Sequence, residues 1–175
     1  NISPTEMEFL NKHDIERLYV RMFDVAVEQN PLSENKEVVP IATTKFVSEV
    51  PSNLEIVPVT YITIDALRAM EGEEYDFATL IVERLLAMSS YNNCGEIKEV
   101  QIDCDWTSTT KDSYSKLCHC IRYSLNSKGI ALSITIRLHQ LQEAAPPADR
   151  GVLMLYNTGL LKRYYTKNSI LDIAD

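Results

Sequence analysis

The chain has 175 residues, 45% of them hydrophobic, which is enough for one domain with a hydrophobic core but not for two full domains. Its formal net charge of −8 argues against a nucleic-acid partner, because a phosphate-binding surface needs clustered lysine and arginine. The sequence contains no run of about 18 apolar residues, so it predicts no membrane-spanning helix.

Helices and strands are predicted to alternate along the chain. In chain order the elements are a helix over 3–13, a strand over 18–24, a long loop over 28–53 with a short extended piece at 41–46, a strand over 55–64, a helix over 75–90, a strand over 98–105, a helix from 109 or 110 to 126, a strand over 131–138, a connection over 140–150 and a strand over 152–157. Ser3, Pro4 and Glu6 predict the start of the first helix, because they match a capping box with proline at the first helical position. Apolar residues three and four apart predict the later helices, and three prolines support the long loop.

The alternation of strands and helices predicts an α/β fold built from right-handed βαβ units with a parallel sheet. Such a sheet is either an open doubly wound sheet or a (β/α)8 barrel. No glycine-rich phosphate loop follows any strand, which argues against a nucleotide-binding open sheet. We therefore predict parallel βα units of a TIM barrel in a single α/β domain over 1–175. The barrel would be incomplete in this chain, because a full one needs about 250 residues.

The strand over 98–105 ends in two acids and an indole, the most informative pattern in the sequence. Asp103 and Asp105 are two residues apart, so an extended strand points both to the same side, roughly 6–7 Å apart at Cα. Two carboxylates this close are costly unless a cation, an arginine or a substrate proton uses their charge. The pattern therefore predicts a functional site at this strand end.

Polar side chains end the other predicted strands as well, whereas the opposite strand ends are far blander. Because the carboxyl ends of parallel strands meet at one edge of a sheet, we expect these side chains to line one cleft. Asp103 and Asp105 are the predicted catalytic residues. The predicted substrate-binding residues are Arg21, Asp24, Tyr61, Trp106, Arg137, His139, Tyr156 and Asn157.

Several of these residues have a purely structural alternative. Arg21 would pair with a neighbouring acid, and Asp24 would cap the turn that follows it. Asp103 and Arg137 would form a buried ion pair without a catalytic role. Trp106 would pack in the core instead of stacking on a sugar.

The sequence predicts neither a metal site nor a cofactor. On a helix, His119 and Cys120 turn about 100° and 200° away from Cys118, so the three side chains cannot converge on one ion. His139 is a general acid, a metal ligand or only a strand-end histidine. The four cysteines do not suggest a disulfide framework and fit a reducing compartment. Because Asn1 is not an initiator methionine, we expect a processed protein or an excised piece, and a removed export signal would place it in a bacterial cell envelope or periplasm.

Three of the predicted strands resemble those of domain-of-unknown-function family 3142, a family of uncharacterised bacterial TIM-barrel proteins. The resemblance is carried by Asp103-Cys104-Asp105-Trp106, Leu132-Ser133-Ile134-Thr135 and Val152-Leu153-Met154-Leu155-Tyr156. It covers roughly residues 97–160, with weaker similarity around 18–24 and 56–63. The resemblance implies a TIM barrel in which a strand ending in a pair of acids is followed by a helix.

More distantly, the same acidic strand is similar to the Asp-x-Asp-x-Glu strand of family 18 chitinases. In that family the last glutamate protonates the glycosidic oxygen. Thr107 holds this position here and cannot donate a proton as a carboxylic acid does. The chitinase mechanism is therefore not carried over at its key acid.

Three functions remain open at this point. The first is a glycoside-hydrolase-like enzyme in which Asp105 donates a proton and Asp103 is its electrostatic partner, because close like charges separate their pKa values. The second is a non-catalytic carbohydrate-binding barrel, which Thr107 favours. The third is a divalent-cation-dependent hydrolase whose two acids bind Mg²⁺. A carbohydrate is the expected ligand, and self-association through open sheet edges is expected as well.

Overall fold

The computed structural model describes residues 2–155, and the predicted site residues Tyr156 and Asn157 lie outside this range. In chain order its elements are α1 (Pro4–Lys12), β1 (Arg17–Gln29), β2 (Lys36–Ile41), β3 (Glu55–Ile62), α2 (Ile64–Ala69), α3 (Glu74–Tyr91), β4 (Glu99–Cys104), α4 (Lys111–Asn126), β5 (Ala131–Ile136), a short 3₁₀ helix (Leu138–Gln142) and β6 (Arg150–Leu153). This mixture of helices and strands confirms the α/β class. None of the described helices has the length and apolar character needed to cross a membrane.

The strands form one six-stranded sheet in the order β2-β1-β3-β4-β5-β6. Strands β1, β3, β4, β5 and β6 are neighbours in this order, and each pair of neighbours is parallel. Strand β2 pairs antiparallel with the outer side of β1. β2 covers only the second half of β1, from Asp24 to Gln29. The predicted parallel βα units are therefore confirmed, whereas the sheet is not closed within residues 2–155.

Two predictions for the first half of the chain were wrong. The extended segment in the long loop is β2 at Lys36–Ile41, not residues 41–46, and Pro40 is tolerated because β2 is an edge strand whose outer N–H groups need no partner. The strand predicted over 55–64 ends earlier, since a short helix, α2, begins at Ile64. Thr63 caps this helix by accepting a hydrogen bond from the backbone N–H of Ala66 at 3.2 Å.

The predicted helix ends were partly right. Ser3 accepts a hydrogen bond from the N–H of Glu6 and donates its own N–H to the Glu6 carboxylate, so the predicted capping box is present. Helix α4 follows Thr110 as predicted, but the Thr110 hydroxyl makes no capping bond to the helix. It accepts instead from the N–H of Thr107 at 3.0 Å, and so closes the turn between β4 and α4.

A β-bulge in β1 determines which way its side chains point. Arg21 is the register partner of Val59 and Phe23 that of Thr60, so Met22 is an extra residue. The Met22 carbonyl accepts a hydrogen bond from the N–H of Thr44 at 2.7 Å. The bulge adds one residue to β1. Two side chains that are three residues apart, with the bulge between them, therefore lie on the same face of the sheet.

The sheet has one apolar face and one polar face. Alternate residues of β4 and β5, such as Ile102 and Ile134, belong to the same buried apolar cluster as Leu85 of α3 and Leu117 of α4. The residues between them on both strands are mostly polar although largely buried, namely Glu99, Gln101, Asp103, Ser133 and Thr135. The period of two along a strand therefore separates the helix-covered core from a polar surface.

The amino ends of the strands are not bland, contrary to the sequence-based expectation. Glu99 at the start of β4 is only 1% exposed. Its carboxylate accepts a hydrogen bond from the Tyr19 hydroxyl at 3.1 Å and lies 3.5 Å from an Arg17 nitrogen and 2.6 Å from an Arg150 nitrogen. A buried carboxylate needs such partners, because an unpaired one is strongly penalised. The cluster ties β1, β4 and β6 together.

Truncation of the core should test the helix-covered face. We expect Ile102→Ala to lower the free energy of unfolding by about 2–5 kcal/mol, since Ile102 is completely buried and a cavity would remain. Urea unfolding followed by circular dichroism measures this. Leu32→Ala is the control, because Leu32 is 95% exposed and its truncation should leave stability nearly unchanged. Equal effects of the two substitutions would contradict the assigned core.

The contact between α4 and β5 should make stability depend on pH at the acidic end. The Arg122 guanidinium, 2.5 Å from Asp149, and the backbone N–H of Leu132 lower the pKa of Asp149 below its usual value of 3.8. A carboxyl group whose folded-state pKa is lowered stabilises the fold above its unfolded-state pKa, and this contribution is lost as the pH falls through the lowered pKa.

We therefore expect Asp149→Asn to be less stable than the wild type at neutral pH, with the difference shrinking below about pH 4. Urea unfolding between neutral pH and about pH 2 measures it. Arg122→Gln removes the main cause of the shift and should show the same trend. A wild-type advantage that persists unchanged at the lowest pH would argue against this ion pair as its source.

Candidate functional site

The polar face of the sheet brings predicted residues from the ends of four strands, β1, β3, β4 and β5, into one row at the carboxyl ends. Asp24 of β1 is the register partner of Tyr61 in β3, and Tyr61 is the partner of Asp103 in β4. Asp105 is the residue immediately after β4, and Arg137 is the residue immediately after β5. The expectation that strand-end residues gather at one edge therefore holds for these five side chains.

Arg137 joins the two aspartates. Its Nη2 donates to Oδ1 of Asp103 at 3.1 Å, and its Nε donates to Oδ1 of Asp105. The Arg137 and Asp103 side chains are largely buried, whereas that of Asp105 is 41% exposed. The costly carboxylate pair expected from the sequence is thus compensated by one guanidinium, and Asp105 is the acid that faces solvent.

Two residues outside the predicted set hold this arrangement in place. The buried Thr135 hydroxyl donates to Oδ1 of Asp103 at 2.5 Å. Gln140 is also buried, and its side-chain amide donates to the carbonyls of Cys104 and Trp106 at 3.3 and 3.0 Å. The Gln140 side-chain oxygen accepts from the N–H of Arg137 at 2.8 Å. Gln140 therefore ties the segment that carries Asp105 to the segment that carries Arg137.

Arg21 and Tyr61 extend the row toward β1. The bulge brings Arg21 and Asp24 together, and two hydrogen bonds of 2.5 and 2.6 Å join them. The Arg21 guanidinium also lies over the Tyr61 ring, 4.8 Å from its centroid. The Tyr61 hydroxyl makes a long 3.5 Å contact to Oδ2 of Asp105.

Burial and neighbouring acids shift the pKa values of Tyr61 and Arg21. Burial, and then the negative charge of Asp105, raise the pKa of Tyr61. The hydrogen bonds to Asp24 raise the pKa of Arg21. At neutral pH the site therefore presents a neutral phenol and a charged guanidinium to the solvent.

The expectation that Trp106 offers its ring to a ligand is corrected by its burial. Trp106 is 2% exposed and stacks on Tyr114, with ring centroids 6.1 Å apart. It lies two residues after Cys104, on the helix side of the sheet, so the packing alternative holds. Its indole N–H is buried with no hydrogen-bond partner among the described residues.

His139 does not join the cluster. It is exposed on the short 3₁₀ helix and makes no hydrogen bond or ion pair with residues 2–155. Tyr156 and Asn157 lie outside the described residues. Of the ten predicted site residues, six form the cluster: Arg21, Asp24, Tyr61, Asp103, Asp105 and Arg137.

The described residues contain no group of three or more His, Cys, Asp or Glu side chains arranged to hold a metal ion. On α4, Cys118 is buried in the core while His119 is exposed, so these neighbours diverge as the helical geometry predicts. Burial raises the pKa of Cys118 to about 12, so its thiol stays protonated at neutral pH.

Comparisons of the chain with protein-family models, with curated proteins and with solved structures find no match. The resemblance to family 3142 therefore remains a prediction.

The role of Gln140 can be tested by stability. We expect Gln140→Leu to lower the free energy of unfolding by roughly 2–3 kcal/mol, because it leaves two carbonyls and one N–H without their partner. Urea unfolding measures the loss. Gln142→Leu on the same 3₁₀ helix is the matched control, since Gln142 is exposed. Equal stabilities of the two variants would show that Gln140 does not hold the site together.

Proposed function

We propose that the carboxyl-end cluster is the carbohydrate-binding site of a (β/α)8 barrel to which this chain contributes parallel βα units. The strand order supports the barrel, because β1, β3, β4, β5 and β6 follow one another without the reversal that defines an open doubly wound sheet. The first half of β1, before Asp24, has no strand partner on its outer side within residues 2–155, and neither has β6. Further strands between these two edges would close the barrel.

The proposal of a carbohydrate ligand rests on the contact of Arg137 with both Asp103 and Asp105. A guanidinium at this distance is an ion-pair partner for both carboxylates. The two carboxylates beside a guanidinium and a phenol provide strong hydrogen-bond acceptors next to donors. Neighbouring hydroxyls of a sugar each donate and accept, so they match such an arrangement.

The same contact makes binding a better proposal than cleavage. A glycosidase needs one carboxyl group that is protonated near neutral pH. Asp105, the proposed proton donor, is instead engaged as the acceptor in an ion pair with Arg137. Thr107 lies at the position of the chitinase acid, and its hydroxyl is 3.0 Å from that of Thr109 within the turn after β4.

Arg137 also bears on the alternative of a divalent cation. A cation shared by Asp103 and Asp105 would have to compete with the guanidinium that already bridges them. Binding of Mg²⁺ by the two acids would therefore require Arg137 to move away.

A glycan panel tests the proposed function. We expect the protein to bind at least one class of oligosaccharide, and Asp105→Asn to weaken that binding about tenfold or more, because an amide replaces a charged acceptor. A glycan array followed by isothermal titration calorimetry measures this. Asp14→Asn is the matched control, since Asp14 is exposed in the turn between α1 and β1, at the opposite, amino end of the strands.

Two additional measurements separate the alternatives. If the protein hydrolyses aryl glycosides, and if Asp105→Asn abolishes this activity without unfolding the protein, the proposed function changes from binding to catalysis. Activity that a chelator removes would support the cation-dependent hydrolase. If no glycan binds, or if Asp105→Asn and Asp14→Asn bind equally well, the carbohydrate proposal fails.

A further inference from the structure

A second surface, separate from the carboxyl-end site, lies on the helix side of the sheet. It is an apolar groove of about 950 Å³ between α3 and the β1–β2 hairpin with the following loop. The connection from β1 to β3 consists of β2 and a loop, so no described helix crosses the sheet there as α3 and α4 do farther along. The groove occupies the place that such a crossover helix would fill.

Helix α3 is apolar on the side that faces this groove. Its opposite side, with Val82 and Leu85, is buried in the core. The stripe toward the groove, which we call the α3 stripe, consists of Phe77, Leu80, Ile81, Arg84, Ala87, Met88 and Tyr91. Leu80 is 59% exposed and Tyr91 is 87% exposed. Large apolar side chains that are contiguous and exposed mark interaction surfaces.

The composition of the α3 stripe is that of a protein interface. Aromatic residues, methionine and arginine are enriched at interface cores, and the stripe contains Phe77, Arg84, Met88 and Tyr91. With 3.6 residues per turn, it lies along one side of the helix for about 21 Å. A surface of this shape suits an α-helix lying in the groove.

Arg84, at the centre of the stripe, lacks one hydrogen-bond partner. Its guanidinium lies over the Phe23 ring, 5.1 Å from the centroid, and donates one bond of 3.2 Å to the Thr43 hydroxyl. Its Nε–H is buried without a partner among the described residues. A buried donor of a charged group calls for an acceptor. A carboxylate that approaches the rest of the guanidinium from the groove would compensate its charge.

The α3 stripe is symmetric about Arg84. Phe77 and Tyr91 each lie seven residues from it, and Leu80 and Met88 each lie four residues from it. A two-fold axis near Arg84 would therefore set apolar residues of one helix against apolar residues of an antiparallel copy. Exposed Glu83, which also borders the groove, is the neighbouring carboxylate.

We propose that the groove is the interface of a symmetric homodimer in which the α3 stripes of two copies pack antiparallel. Near the axis the two Arg84 guanidiniums approach each other, so the Glu83 carboxylates are needed to neutralise them. Each Glu83 accepts a hydrogen bond from Arg84 of the second copy. The interface is thus a helix pair with reciprocal ion pairs at its centre, and it does not use the open sheet edges.

The oligomeric state tests this proposal. Sedimentation velocity between about 5 and about 500 µM should show a concentration-dependent monomer–dimer equilibrium. Leu80→Glu and Tyr91→Lys should each leave the protein monomeric over this range, with unchanged circular dichroism. Leu32→Glu is the control, because Leu32 is 95% exposed but lies in the β1–β2 turn. This variant should dimerise like the wild type.

A charge exchange tests the centre of the interface. Glu83→Arg alone and Arg84→Glu alone should each raise the dimer dissociation constant at least about tenfold, and the double exchange should restore most of the affinity. A wild-type protein that is monomeric at the highest concentration would overturn the proposal. A dimer that persists in Leu80→Glu would overturn it as well, because it would place the contact elsewhere, for example at the sheet edges.

Discussion

The alternation of side chains along parallel strands is the constraint on which this structure depends. Helices α2, α3 and α4 share one buried apolar cluster with one face of the sheet. The helices therefore cover the apolar face, and the polar side chains of β4 and β5 gather on the other one. The site at the carboxyl ends and the Glu99 cluster at the amino ends both lie on this polar face. A strand that slipped by one residue would move both into the apolar core, so the register is strongly determined.

Charge on the polar face is compensated at both ends by arginine. At the amino ends, Arg17 and Arg150 approach the buried Glu99 from β1 and β6. At the carboxyl ends, Arg137 approaches Asp103 and Asp105 from the end of β5. The two clusters differ in access to solvent, because Glu99 is almost completely buried whereas Asp105 is not. Of these two clusters, the carboxyl-end one therefore exposes an acid to solvent, while the amino-end one joins β1, β4 and β6.

Local patterns predicted the strands and the acidic motif well, because the signals lie within single segments. The alternation that places Asp103 and Asp105 on one face also places Cys104 and Trp106 on the other, so it favours the packing alternative for the indole over the sugar-stacking one. Thr135 and Gln140 could not be found in this way. Their contacts depend on the pairing of β4 with β5 and on a 3₁₀ helix that no hydrophobic period indicates. The extended segment was predicted at 41–46 instead of at β2, because proline usually indicates a loop, although an edge strand tolerates it.

Adjacent residues at the bulge in β1 belong to the carboxyl-end site and to the groove. Asp24 points to the polar face beside Arg21, whereas Phe23 faces the groove beneath Arg84. The loop that follows β2 contacts both surfaces. The N–H of Thr44 donates a hydrogen bond to the carbonyl of Met22 in the bulge, and the Thr43 hydroxyl accepts one from Arg84. A substitution in β1 or in this loop would disturb both surfaces and could not separate their roles. Leu80 and Tyr91 lie on α3 and Asp105 follows β4, so substitutions there act on one surface at a time.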